Sequence, residues 1–463
     1  MIHAPGRIRR LLLALLLPAG LTSGCEKKVN NDSVAVEVTV RASLGNANQQ
    51  GNDDSIDELG DLSADGRYIV FASKASNLVP GDTNGLPDVF WRDMVSRTTR
   101  LVSVSLAGTS GNSGSSRPSI SADGKVVAFQ SLATDMVAGD PVDAIIDVYV
   151  WNADTGVVSL VSRSSGPGGA KGDGHSQNPQ ISGNGNFVVF QSDAINLDGG
   201  PGLGDDDTIT DIYRRELFGA FTTTIVSRAS GVGGAKGIGT SQKPTVSDDG
   251  RYVAFESVSN NLVDVVSQGG ADTNSASDVF VRDLVSLSTE RVSLTSGDLE
   301  GSGPGGSAEN GFISGDGSAV AFRSSFSNLV PQDSSSDSDI FVRDRVAGTT
   351  EISTVHTSGA QAGQNCNFPT ISGDGRYVVW QSLSSSLVNG DSNAKSDTFM
   401  HDRVLATTLR VSVTTYGGEM NGESLKAVVS ADGRYVMFWC DATNAADDDT
   451  NGSADIYLRG PPF

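Results

Sequence analysis

Acidic side chains recur along this chain at a spacing that could hold a cation. In GDTNGLPDVFWRD, Gly81 to Asp93, the oxygens of Asp82, Asn84 and Asp88 fall at i, i+2 and i+6 around a turn, and an apolar run follows at once. The same spacing returns at Asp205/Asp207/Asp211, Asp272/Asn274/Asp278, Asp333/Ser335/Asp339, Asp391/Asn393/Asp397 and Asp449/Asn451/Asp455. One further copy breaks it, with Asp140 and Asp147 seven apart. Alternate oxygens on a tight loop, then a later carboxylate, form the first part of an EF-hand loop, and calcium takes about 6–8 such ligands. No bidentate Glu follows at a fixed offset, so carbonyls and water would have to complete each shell. The other reading needs no ion: Asp and Asn form Asx turns that fix where the next strand starts. If calcium is the cofactor, the best loops are those with Asp, Asn and Gly, Asp82–Asp88 and Asp449–Asp455, and the irregular copy does not bind.

Histidine and nucleophile chemistry finds less support. His175, His356 and His401 lie in three different repeats, so no triad or histidine metal site assembles from them. No G-x-S-x-G elbow occurs.

Self-comparison shows what must hold the acidic loops. Turns of the form S-x-[DN]-G begin at Ser63, Ser121, Ser182, Ser247, Ser314, Ser372 and Ser430, at intervals of 58, 61, 65, 67, 58 and 58 residues. Each opens an apolar run, as in SADGRYIVFAS and SGDGRYVVWQS, and a DVFVRD-like run follows. Six of the seven units then add an alternating segment such as TRLVSVS or TERVSLT. With the P-x-I-S stretch before the turn, each unit offers four short strands. The middle two read as buried on both faces and the fourth as a half-exposed edge. Sheets of this kind are propeller blades. The chain stops at DIYLRGPPF one strand short, while Val36 to Ser43 alternates as the missing strand should. An N-terminal strand completing the last blade would lock the ring and hide its edges. The expected fold is all-β: a seven-bladed β-propeller of four-stranded blades over residues 34–463.

The unit resembles the TolB-type β-propeller repeat, a relative of the WD repeat with the signature P-x-W-S-P-D-G-x-x-I-A-F. The likeness runs through all seven units and implies the propeller fold. This chain lacks the Trp and Pro of that signature, has seven units rather than six, and leaves no room for the separate α/β domain of TolB. Because blade strands alternate in direction, the S-x-[DN]-G turns share one face with the turns after VRD. The acidic loops share the other with long Gly/Ser-rich connections, and that face is expected to carry the ligand site. Arg67, Arg251, Arg376 and Arg434 stand beside the turns and suggest a charge polarity across the disc.

The first residues, MIHAPGRIRRLLLALLLPAGLTSGC, join a basic region (Arg7, Arg9, Arg10) to an apolar core (Leu11 to Leu21) and small residues before Cys25. They resemble a bacterial lipoprotein signal. That resemblance implies a signal peptide at 1–24, lipidation of Cys25, a tether at 25–33 and a lipid-anchored place in the cell envelope. Glu26, where an inner-membrane protein carries Asp, favours the outer membrane. A plain secretory signal is the alternative. No later stretch approaches the ~20 apolar residues of a membrane span.

The chain has 33 Lys and Arg against 55 Asp and Glu, a net charge of −22. That sign repels phosphate backbones and excludes nucleic acid as a natural partner. A protein or a cell-envelope polymer fits better, with membrane contact only through the lipid and the chain itself monomeric. Cys366 and Cys440 are candidates for a disulfide in an oxidising compartment. The leading functional expectation is an envelope-tethered binding or scaffolding propeller, with calcium-stabilised loops as one option. The alternative is a lyase or hydrolase acting on polysaccharide or peptide. Asp, Lys, His and aromatic residues gathered near the central channel would favour that enzyme.

Overall fold

The computed structural model describes residues 37–462 apart from 199–204, 264–269, 304 and 448. The expected signal peptide, the expected lipidation site Cys25 and the expected tether lie outside the described residues. Those described form seven antiparallel four-stranded sheets and no α-helix. Blade 1 comprises Asp61–Leu62, Tyr68–Ser73, Asp88–Asp93 and Thr98–Leu101, from the inner strand outward. Blades 2 to 6 repeat this order over 115–160, 176–225, 241–291, 308–352 and 366–410. Blade 7 takes Ser424–Val429, Val436–Cys440 and Asp455–Gly460 from the C-terminus and its outer strand, Val38–Arg41, from the N-terminus. Val38 pairs with Gly460 and Arg41 with Tyr457, so the expected ring closure is made.

The core lies between blades. In the second strand of blade 1, Ile69 and Phe71 pack with Tyr435, Met437 and Leu458 of blade 7. Val70 packs on the other side with Val127, Phe129 and Trp151 of blade 2. Period-two alternation therefore feeds both neighbours, which is why the middle strands read as unbroken apolar runs. Every blade also stacks one aromatic pair across these two strands, from Phe71–Phe90 to Phe438–Tyr457, with centroids 5.7–6.3 Å apart.

The S-x-[DN]-G turn is a fitted joint. Ser63 Oγ donates to Asp65 (2.7 Å) and accepts the Tyr68 N–H (2.9 Å), while Gly66 sits at φ +70°. A Cβ on Gly66 would fall 2.4 Å from the Tyr435 ring of the neighbouring blade, so the turn needs glycine for space as well as for φ. On the same face Arg67, Arg251 and Arg376 pair bidentately with Asp93, Asp283 and Asp402. The expected charge polarity is cancelled locally at three of the four arginines.

Cys366 and Cys440 are free and buried, so the expected disulfide is not formed. The repeat explains it. Ser115–Ser131, Ser176–Ser192 and Ser241–Ser257 are hydrogen-bonded pairs between first and second strands (2.9–3.0 Å). Cys366, opposite Ser382, and Cys440, opposite Ser424, each replace one such serine within their own blade.

Deleting residues 1–42 removes both the closing strand and the buried Arg41. It should lower the urea midpoint by an amount equivalent to about 3–5 kcal/mol or abolish folding. Circular dichroism melts check this, and an unchanged midpoint would mean that closure carries no stability.

Candidate functional site

The first residue of each third strand is a buried aspartate: Asp88, Asp147, Asp211, Asp278, Asp339, Asp397 and Asp455 are all 0–2% exposed. In each blade Oδ1 accepts a hydrogen bond of 2.5–2.7 Å from a hydroxyl two residues past the end of the outer strand: Ser103, Ser162, Ser227, Ser293, Thr354, Ser412 and Ser43. That hydroxyl oxygen also accepts the N–H of the residue after the aspartate. The serine of the R-V-S-V-S segment thus clamps the fourth strand to the start of the third.

Oδ2 faces a second carboxylate from the acidic loop, and a donor from the chain enters between them. In blades 2 and 3 the donor is lysine. Lys171 Nζ lies 2.6, 3.1 and 2.8 Å from Asp140, Asp143 and Asp147, and Lys236 Nζ lies 2.8, 2.7 and 3.0 Å from Asp205, Asp207 and Asp211. Arginine enters from the outer strand in blades 4, 6 and 7. Arg291 meets Asp272, Asp278 and Glu300, and Arg410 meets Asp391, Asp397 and Glu419. Arg41 meets Asp449 (3.3 Å) and Asp455 (3.2 Å), so a guanidinium already stands in one of the two loops expected to suit calcium best. In blade 5 the Gln361 amide bonds Asp333 (2.9 Å), Ser335 (3.2 Å) and Asp339 (2.6 Å).

The acidic oxygens therefore converge, as the spacing suggested, and the asparagines reach them only as donors: Asn274 Nδ2 to Asp278 (3.2 Å) and Asn393 Nδ2 to Asp397 (3.3 Å). Oδ1 of Asn84, Asn274, Asn393 and Asn451 accepts the N–H two residues on (2.7–3.2 Å). Their Nδ2 groups donate to carbonyls of the following connection. They hold the loop as Asx turns, the ion-free role that the spacing also allowed.

Blade 1 differs. Leu101 and Ser110 stand where other blades place arginine or lysine, and Phe90 stands where Tyr149, Tyr213 and Tyr457 give a hydroxyl to the loop carboxylate. Both oxygens of Asp82 and Oδ2 of Asp88 are buried without a hydrogen bond. Burial pushes the Asp82 carboxyl up to about 6 and Asp88 up to about 7, with the Ser103 hydroxyl offsetting part of the latter.

A second constellation lies on the acidic-loop side of the central channel, where the inner strands begin; Ser115 N–H, at the start of one, bonds Pro87 O of the acidic loop. Arg117, Asn178, Lys243, Asn310, Phe368 and Lys426, one from each of blades 2 to 7, sit at φ +50° to +53° on a register shift. Four of them precede proline, and positive φ is costly for such residues, so the backbone is strained where it lines the channel. Side chains of Glu58, Gln130, Gln191, Glu256 and Gln381 accept the N–H groups of all but Phe368 (2.7–3.2 Å) and hold the bulges. The six bulge residues bound a cavity of ≈ 190 Å³ together with Asp57 and Glu58. Lys426 Nζ stands 3.0 Å from the Phe368 ring centroid, and burial first, then repulsion from Arg117 and Lys243, lowers its ammonium to about 8.

Sequence reading missed both sets. The compensating donors lie on the outer strand and the hairpin after it, at fixed offsets that change residue type from blade to blade. The channel residues sit inside what reads as an ordinary inner strand. The histidines stay apart: His175 accepts the Ile146 N–H (3.0 Å), His356 contacts Ser358, and His401 is buried against Thr408 in the position that holds arginine in Arg92 and Arg282.

Asp61, bonded to Ser119 and Ile120, and Asp339 are among the buried carboxylates that face only neutral donors. Burial pushes each up to about 6 from an ordinary value near 3.8. Protonation is thus easier in the folded chain, so each group costs stability at pH 7, and that cost is relieved as pH falls through about 6 toward 3.8. The urea midpoint in chelator should rise from pH 7 to pH 5 by an amount equivalent to roughly 1–3 kcal/mol. A midpoint that falls over this window would contradict the assignment.

No protein-family model and no curated protein matches the chain. Solved structures do. Oligogalacturonate lyase from Vibrio parahaemolyticus is 11% identical over 92% of this chain and 97% of its own, with a TM-score of 0.51. A prolyl endopeptidase is 13% identical over 89% of this chain and 51% of its own, with a TM-score of 0.50. TolB from Acinetobacter baumannii is 16% identical over 72% and 61%, with a TM-score of 0.38. At these identities the likeness to the lyase and the endopeptidase is one of fold alone, and the two carry different named activities.

Proposed function

We propose that this chain is an envelope-tethered binding propeller whose channel mouth takes up an acidic group of a protein or cell-envelope polymer. The observation that carries this reading is the set of cations Arg117, Lys243 and Lys426 that line one cavity with Phe368, beside Asp57 and Glu58 and with Lys243 paired to Glu256 (3.1 Å), in a chain of net charge −22. A cavity of ≈ 190 Å³ suits one sugar ring or one side chain better than a polymer segment. The tether, the lipid on Cys25 and the outer-membrane location belong to this proposal. Among the described residues no helix is long and apolar enough to cross a membrane. Val38 begins the closing strand on the S-x-[DN]-G face, opposite Gly460. A short tether from Cys25 would hold that face toward the membrane and leave the channel mouth pointing away.

The second reading, an enzyme acting on an acidic polysaccharide or peptide, is favoured by Asp57, Lys243, Lys426 and Phe368 meeting at the channel, the gathering expected of an enzyme apart from histidine, and rests on Lys426. A lysine held near 8 beside Asp57 and Glu58 is a usable base, although no histidine joins it. One experiment separates the readings: titrate the protein with acidic and neutral oligosaccharides and peptides while following the release of products. Binding of acidic ligands without turnover, weakened about tenfold or more by Arg117→Glu with Lys243→Glu and by added salt, is the expected result. Turnover lost in Lys426→Met would establish the enzyme, and equal affinity for neutral ligands would remove the acidic-group reading.

A further inference from the structure

We propose that blade 1 binds a calcium ion between Asp82 and Asp88. This site is independent of the channel mouth, and neither proposal rests on the other. The other blades show what the pocket requires. Five of the seven bring a lysine or arginine nitrogen among the carboxylates, and a sixth brings the Gln361 amide. The equivalent positions in blade 1, Leu101 and Ser110, bring neither. Asp82 is 6% exposed and Asp88 0%, and among the described residues no donor reaches either Asp82 oxygen or Oδ2 of Asp88 within hydrogen-bonding geometry.

Two buried carboxylates side by side need neutralising charge or a proton. A divalent cation balances a pair of them, and an all-oxygen site favours calcium over softer metals. The equivalent pockets set the scale: in blades 2 and 3 a lysine nitrogen reaches the third-strand aspartate and its loop partner at 2.6–3.0 Å. Calcium–oxygen distances of about 2.3–2.6 Å need the carboxylates to draw in by only a few tenths of an ångström. Thr83, Gly85 and Leu86 above the site are exposed, which gives solvent a route to complete the shell. Asn84 stays a turn residue, because its oxygen already accepts the Leu86 N–H at 2.7 Å. With two carboxylates and several waters, the affinity belongs in the range of about 10⁻⁴–10⁻³ M typical of extracellular modules.

The repeat also supplies the decisive variant. Ser110→Lys places a lysine at the position of Lys171 and Lys236, so the chain would provide its own cation. Calorimetry with calcium chloride alone, and melting curves in calcium and in chelator, read the result. Wild type should show a binding heat and a melting temperature raised by about 1–3 °C at ten times the dissociation constant. Ser110→Lys should lose both responses and melt in chelator at or above calcium-saturated wild type. Asp82→Ala should also lose the heat; if it does not fold, Ser110→Lys decides alone. Absence of heat in wild type at about 10 mM calcium, with a melt that chelator leaves unchanged, overturns the proposal in favour of a shared proton. So does a calcium response that persists in Ser110→Lys.

Discussion

Every blade buries the carboxylate that opens its third strand, and the ring is organised around satisfying it. The same group that clamps the fourth strand through a serine or threonine hydroxyl also brings negative charge beneath the acidic loop. Removing such charge from water is costly, so each such carboxylate needs a partner, which six blades supply from the chain and blade 1 does not. The third strand, the loop before it, the outer strand and the hairpin that leads to the next blade are therefore tied at a single point.

The partner is met by different chemistry in different blades. Where the outer strand carries arginine, as in Arg291 and Arg410, the following hairpin carries glutamate that joins the pair. Where that strand position is apolar, as in Leu160 and Ile225, the hairpin carries Lys171 or Lys236. Arg41 plays the arginine part from the other end of the chain, so ring closure and charge compensation in blade 7 are one event. A fold built from near-identical units thus keeps its blades chemically distinct without altering the backbone. The channel mouth shows the same division: strained bulges recur in six blades, while the side chains they present differ.

The repeat made the fold legible. Seven turns, seven DVFVRD-like runs and six alternating segments demand a strand from elsewhere, and Val38–Arg41 supplies it. Convergence of the acidic oxygens was legible for the same reason. The charge partners were not, because Lys236 and Arg291 align only after the outer strands are paired, and each type occurs in few blades. The channel residues were hidden because the residue before proline reads as extended backbone, whereas Arg117 adopts φ +50°. Asn84 and its counterparts look the same in sequence as turn formers and as ligands, and only the direction of the amide decides. Cys366 and Cys440 invited a pairing that alignment with the serines of other blades replaces with two separate contacts.

The interchange of charge partners is tested most directly in blade 4. Arg291→Leu removes the cation from Asp272 and Asp278 and should lower stability by about 3–5 kcal/mol in urea unfolding. Adding Glu300→Lys converts the pocket to the arrangement of blades 2 and 3 and should restore most of that loss. A double variant as unstable as the single one, or a single variant as stable as wild type, would contradict the view that these buried aspartates depend on a compensating charge.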